Sequence, residues 1–171
     1  MLGIIVKNII DLKTDVIVNA ANSNLWMGGG VCGAIFNAAG VEHLNKACKE
    51  IGHCDTGSAV ITDGFKLSRY IIHAVGPVYV DGKHDEEKLL YGCYRSSLDL
   101  AKQYDCKSIA FPLISAGIYG YPKSDAWKTA VESVTDWLKD NDDCIDIYFA
   151  VLSQNDKNIG DRFIEELYLK D

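Results

Sequence analysis

Two asparagines and two glycine-rich loops are the parts of this chain whose residue types and spacing could do chemistry. Asn19-Ala20-Ala21-Asn22 is followed by Gly28-Gly29-Gly30-Val31-Cys32-Gly33-Ala34-Ile35. Glycines permit backbone conformations and close approaches that a Cβ forbids, so such a run offers free N–H groups to an anion. A short apolar helix over residues 31–39 follows, and its positive dipole end adds to those amides. Phosphate can be held in this way without any lysine. The run Val16-Ile17-Val18 reads as a buried strand, which puts Asn19 and Asn22 at a strand's carboxyl end, where open α/β sheets hold ligands. The second loop, Ser115-Ala116-Gly117-Ile118-Tyr119-Gly120, lies between a strand over residues 107–113 and a helix over residues 123–139, repeating the first junction.

The elements that must position these loops are legible in outline. Residues 2–7 and 15–20 read as strands, and residues 31–39 and 41–51 as helices, each stopped by a glycine, Gly40 or Gly52, suited to a C-cap. Residues 58–62 and 70–75 read as two strands about the turn signal Asp63-Gly64, a hairpin within the sheet. Residues 85–103 have helical spacing through Leu89, Leu90, Cys93, Tyr94, Leu98 and Ala101. A strand over residues 145–152 and an amphipathic helix over residues 158–169 close the chain. Strands alternating with helices predict an α/β fold, a three-layer α/β/α sandwich with a central mixed β-sheet. At 171 residues the chain suits one domain, residues 1–171.

Composition narrows the partners. A net charge of −7 argues against a nucleic-acid surface, which needs a basic stripe, but a local cluster of amides can still hold a small anion. No apolar run reaches bilayer length and no leader pattern is visible, so no membrane contact and a cytoplasmic location are expected, as is a monomer. The cysteines Cys32, Cys48, Cys54, Cys93, Cys106 and Cys144 read as reduced thiols rather than a disulfide framework. His43, Cys48, His53 and Cys54 are zinc-ligand types whose spacing fits no recognised pattern, and no metal is expected. His73 reads as a core histidine bonded to backbone rather than a general base. Asp11, Asp15 and Asp63, the group Asp85-Glu86-Glu87 and residues 140–143 read as solvated surface. Trp127 and Trp137 fall in a helical register that favours packing, whereas Trp26 reads as an exposed lid or partner contact.

Three segments in order, Asn19-Ala20-Ala21-Asn22 with the triple glycine, Ile71-Ile72-His73-Ala74-Val75-Gly76-Pro77, and Phe111-Pro112-Leu113-Ile114-Ser115-Ala116-Gly117-Ile118-Tyr119-Gly120, closely resemble the macro domain family. The likeness spans nearly the whole chain, and the first loop is most similar to the MacroD-like branch. The resemblance implies a partner that is ADP-ribose or an ADP-ribosylated protein. It also implies hydrolysis of ADP-ribose from modified proteins or deacetylation of O-acetyl-ADP-ribose, with no cofactor. By the same resemblance Asn8 and Ile9 hold the adenine, and Asn22 bonds the distal-ribose hydroxyls. The amides of Gly29, Gly30, Val31 and Cys32, beside Ala20, line the diphosphate and distal ribose. Ser115, Ala116, Gly117, Ile118 and Tyr119 clamp the diphosphate from the other side, with the Tyr119 ring on the ribose.

The departures bear on chemistry. Where the family usually has aspartate the chain has Asn8, so a charge-assisted bond to the adenine becomes a neutral one, costing on the order of 1 kcal/mol or less. Cys32 stands where the MacroD-like branch has a catalytic aspartate, and Phe36 and Asn37 where it commonly has histidine and arginine. An adjacent diphosphate opposes a thiolate and the family's chemistry forms no thioester, so Cys32 reads as a small residue packed beneath the loop rather than as the catalyst. Hydrolysis is then expected by water attack assisted by the substrate's own phosphate, with Asn22 as the catalytic residue that fixes the ribose. The alternative is a non-catalytic ADP-ribose reader. A poly-purine RNA or nucleotide-binding protein, from another class, is opposed by the acidic balance.

Overall fold

Alternation along each strand decides which helices cover it. In β2 (Val16–Ala20), Val16 and Val18 face one hydrophobic cluster and Ile17 the other; in β4 (Tyr70–Ala74), Ile72 and Ala74 oppose Ile71. β5 (Ser108–Phe111) divides in the same way, with Ile109 and Phe111 against Ala110. Strands apolar on both faces must be covered on both faces. With β1 (Leu2–Val6), β3 (Ala59–Asp63) and β6 (Asp146–Val151) they form one sheet of order β1-β6-β5-β2-β4-β3 in the computed structural model, which describes residues 1–170. Every pairing is parallel except β3 with β4. One layer holds α1 (Gly30–Ala39), α2 (Val41–Ile51) and a 3-10 turn, Ile9–Asp11; the other holds α3 (Glu86–Gln103), α4 (Lys123–Asp140) and α5 (Gln154–Leu167). The expected three-layer sandwich with a mixed sheet is therefore present.

Two expectations about elements need correction. The β3–β4 hairpin does not turn at Asp63-Gly64 alone: Gly64 N–H bonds to the Arg69 carbonyl at 3.2 Å, so residues 64–69 form a wider loop. The last helix starts at Gln154, ahead of residue 158. Its first turn has no apolar residue to reveal a period, and the start is fixed by Ser153, whose hydroxyl accepts the Asp156 N–H at 3.1 Å.

The larger cluster is built on rings. Phe111 and Phe149 stack with centroids 5.8 Å apart, Tyr94 meets Phe111 edge-on at 5.1 Å, and Trp127 meets Phe149 at 5.2 Å. Trp127 and Trp137 are both fully buried, as their register indicated. The Tyr94 hydroxyl accepts the Ile114 N–H at 3.0 Å and donates to the Pro112 carbonyl at 3.5 Å, which ties the core to the segment leaving β5.

Candidate functional site

Five parallel strands deliver their carboxyl ends to the same end of the sheet. In sheet order the exits are Asn8 after β1, Leu152 after β6, residues 112–120 after β5, residues 21–29 after β2 and residues 75–85 after β4. Both glycine loops are thus side by side, since β2 pairs with β5.

The first loop leads into α1 with its amides exposed. The N-cap is Gly29 and makes no side-chain cap, so the first-turn N–H groups of Gly30, Val31 and Cys32 keep no helical partner. Gly30 adopts φ +57, a conformation costly for a side chain, and a Cβ on Gly33 would stand 2.9 Å from the Gly28 carbonyl oxygen. Asn22 holds the middle of the loop by two bonds to one residue: Nδ2 donates to the Trp26 carbonyl at 2.9 Å and Oδ1 accepts the Trp26 N–H at 3.0 Å. Trp26 is 67% exposed. Cys32 is buried beneath this loop; its Sγ accepts the Gly28 N–H at 3.3 Å and faces the Trp26 carbonyl at 3.9 Å. Phe36 lies one turn on and is buried, while Asn37 is exposed.

The second loop is held more tightly than its glycines suggest. Ser115 takes φ +66, a strained conformation for a residue with a side chain, and its buried hydroxyl donates to the Pro77 carbonyl at 2.8 Å. A Cβ on Gly76 would collide with Ser115 and Ile114, so glycine is required where the loop leaving β4 meets the second glycine loop. Tyr121 N–H returns to the Ser115 carbonyl at 2.9 Å, and the Tyr119 carbonyl accepts the Tyr79 N–H at 2.9 Å. Ala116 and Tyr119 are half-buried, Gly117 is exposed and Ile118 is 91% exposed.

At the β1 exit, exposed Asn8 caps the 3-10 turn by accepting the Ile10 N–H at 3.3 Å. Ile9, the first residue of that turn, is buried in the smaller cluster. Beside Asn8 stands Leu152, 75% exposed, because Lys7 N–H pairs with the Val151 carbonyl at 2.9 Å. Leu152 is a candidate site residue that the sequence concealed, an apolar side chain at the very end of a strand, where strand periodicity absorbed it.

Two further readings are overturned. Asn19 does not face the site: buried, its Nδ2 donates to His73 Nδ1 at 3.1 Å, while His73 Nε2 lies 3.0 Å from Thr62 Oγ1 and 3.9 Å from Cys48 Sγ. His73 is thus a core histidine, but bonded to side chains rather than to backbone, because β3 and α2 bring Thr62 and Cys48 against it. Burial pushes its pKa down to about 4. Glu86 is not solvated surface. It is 1% exposed, and its oxygens accept the N–H groups of Val80, Asp81, Gly82 and His84 at distances from 2.6 to 3.1 Å. Those bonds, the one from Val80 first, hold its pKa down at about 2.

His43, Cys48, His53 and Cys54 do not come together: His53 pairs with Asp55 at 2.8 Å and Cys48 faces His73. Among the described residues the group of metal-ligating types that does converge is Asp81, His84 and Glu86. Its oxygens are already engaged, since Asp81 Oδ1 accepts the Lys83 N–H and meets His84 Nδ1, both at 2.8 Å. All six cysteines are free, and among the described residues no helix is long and apolar enough to cross a membrane.

A family model described as "Macro domain" matches residues 18–130. An O-acetyl-ADP-ribose deacetylase of Escherichia fergusonii is 45% identical over 164 residues, covering 93% of this chain and 92% of that protein. The structure is similar to that of the Oceanobacillus iheyensis macrodomain with ADP, with a TM-score of 0.92 and 41% identity over 98% of this chain and 92% of that one. A Trypanosoma brucei macrodomain in complex with ADP-ribose aligns with a TM-score of 0.87 and 33% identity, over 95% of this chain and 68% of that one.

Proposed function

This chain belongs to the macro domain family, and on that footing we propose that it binds ADP-ribose across the carboxyl end of the sheet and hydrolyses an ester at the distal ribose. The products are ADP-ribose from a mono-ADP-ribosylated protein, or acetate and ADP-ribose from O-acetyl-ADP-ribose. One observation carries the binding: two strand-exit loops on the neighbouring strands β2 and β5, the first opening a helix whose first-turn amides have no side-chain cap. Facing sets of N–H donors suit a linear diphosphate, and they need no lysine or metal. The adenine then lies over Asn8 and the exposed face of Leu152, and the distal ribose beside Asn22 and Tyr119.

Asn22 acts on both the loop and the ligand. Its two bonds to Trp26 use one amide hydrogen and one lone pair, which leaves a second hydrogen and a second lone pair for ribose hydroxyls. Cys32 has its sulfur engaged by Gly28 and Trp26, and the chain offers no carboxylate there. A phosphate oxygen of the substrate takes the water's proton as the water attacks the ester, and the departing ribose oxygen regains a proton. The second reading, a binding-only reader, draws on the same missing carboxylate.

The deciding assay pairs ADP-ribose affinity with release of ADP-ribose from a mono-ADP-ribosylated protein for wild type, Asn22→Ala and Cys32→Ala. Release by Asn22→Ala is expected to fall at least about tenfold, equivalent to about 1.4 kcal/mol of transition-state stabilisation, and Cys32→Ala to retain both binding and release. Unchanged release by Asn22→Ala overturns the site. Loss of release with intact binding in Cys32→Ala makes the thiol catalytic, and binding without release by wild type makes the protein a reader.

A further inference from the structure

Val78 and Val80 stand 58% and 66% exposed on the loop that leaves β4, and that loop is not free to turn them inward. The buried Glu86 carboxylate gathers the amides of residues 80–82 and 84, and Tyr79 N–H is bonded to the Tyr119 carbonyl of the second glycine loop. A buried charge with four N–H partners is a strong fixture, and here it holds two valines in water against the hydrophobic effect. The adjoining loop does the same. Trp26 is pinned by Asn22, and both Trp26 and Met27 are exposed. The two loops start side by side, since Ala21 N–H donates to the Ala74 carbonyl at 2.9 Å. Apolar side chains held in water on two loops that leave neighbouring strands beside a ligand cleft mark an interaction surface.

Strand order identifies what arrives there. With the adenine over β1 and β6 and the diphosphate over β5 and β2, the distal ribose points toward β4, the next strand in the sheet. A group esterified to a ribose so placed leaves toward the loops that carry residues 26–27 and 78–80. We propose that these two loops form a platform for the protein part of a mono-ADP-ribosylated protein and select acceptor side chains flanked by apolar residues. The inference rests on the ADP-ribose reading above and adds to it the class of protein substrate. The loop's own Asp81 and Asp85, both exposed, and the net charge of −7 disfavour acidic flanks.

The test is a binding measurement on the full chain, so it does not depend on turnover. The probes are free ADP-ribose and two peptides bearing ADP-ribose through a hydrolysis-resistant linkage, one with leucines beside the acceptor and one with glutamates. Wild type is expected to bind the leucine peptide at least about tenfold more tightly than either other probe. The double variant Val78→Ser with Val80→Ser should keep the wild-type affinity for free ADP-ribose and lose the preference. Equal affinity of wild type for both peptides overturns the platform, as does a preference that survives in the variant. A dimer that forms with rising concentration and is lost in the variant assigns the surface to a second copy and likewise overturns it. Failure of free ADP-ribose to bind is the distinct result that removes the ligand assignment itself.

Discussion

His73 is the buried titratable residue on which the strands beside the site depend. Asn19 can only donate through Nδ2, so His73 Nδ1 accepts and Nε2 carries the proton toward Thr62 Oγ1, whose hydroxyl passes on to the Asp63 carbonyl at 3.0 Å. Cys48 at the same nitrogen is a neutral thiol, with its pKa pushed up to about 11 by burial and by Cys32. Protonating Nδ1 would set two donors against each other. The folded pKa of about 4 lies below the ordinary 6.5, so the unfolded chain takes up a proton that the folded one refuses. Stability is therefore complete above about pH 6.5 and falls as the pH drops toward 4, by at most about 1.4 kcal/mol per pH unit from this group. Urea unfolding between pH 7.5 and pH 4.5 measures the slope, which His73→Gln should reduce. Glu86 works in a lower window: its depressed pKa gives stability that is present above about 4.5 and is lost only as the pH falls toward 2. The exposed His84 has its pKa raised, by its bond to Asp81 foremost, and its small contribution has the opposite sign, fading as the pH rises.

At the level of elements, α3 does more than cover the sheet. Its Tyr94 reaches the strand exit of β5 and holds Ile114, the residue before strained Ser115. Tyr94→Phe leaves a buried N–H without its partner and should lower stability by about 1–3 kcal/mol, read by denaturant unfolding. The loss of an anchor next to Ser115 should also weaken ADP-ribose binding, which separates it from an ordinary core change. The start of α3 holds the other loop through Glu86 in the same manner. How far such features could be read in advance follows from their range. The β-branched run of β2, the glycine stops of α1 and α2 and the helical spacing in α3 are local, and each appears where the sequence indicated. The partners of Glu86 are amides of residues whose only common property is the path of a loop, so the sequence Asp85-Glu86-Glu87 looks like any solvated helix start. Asn19 and Asn22 read alike as strand-end amides, yet the first turns inward to His73 of β4, whose other ring nitrogen is held by Thr62 of β3. Leu152 was hidden by the opposite effect, an apolar residue that strand periodicity accounted for too easily.

The whole molecule gathers both glycine loops and the other candidate site residues at one end of its sheet and leaves the other end to short connections. Its glycines divide the same way: some serve loops, while Gly160 serves packing, since a Cβ there would meet Ile4 and lie 2.8 Å from the Trp127 ring, so α5 sits directly on β1 and α4. Removing β6 and α5 together should abolish cooperative unfolding rather than only trim an edge, because β6 joins β1 to β5; a calorimetric scan of a chain ending before Asp146 tests this. The pairing of β1 with β6, whose ends Met1 and Asp146 are 145 residues apart in the chain, also has a meaning in time. On a ribosome adding about 5–20 residues per second, Leu2–Val6 emerges on the order of ten seconds before its partner strand exists. Through that interval a nascent apolar strand has no native strand partner, so it must be shielded from pairing with other chains until β6 is made.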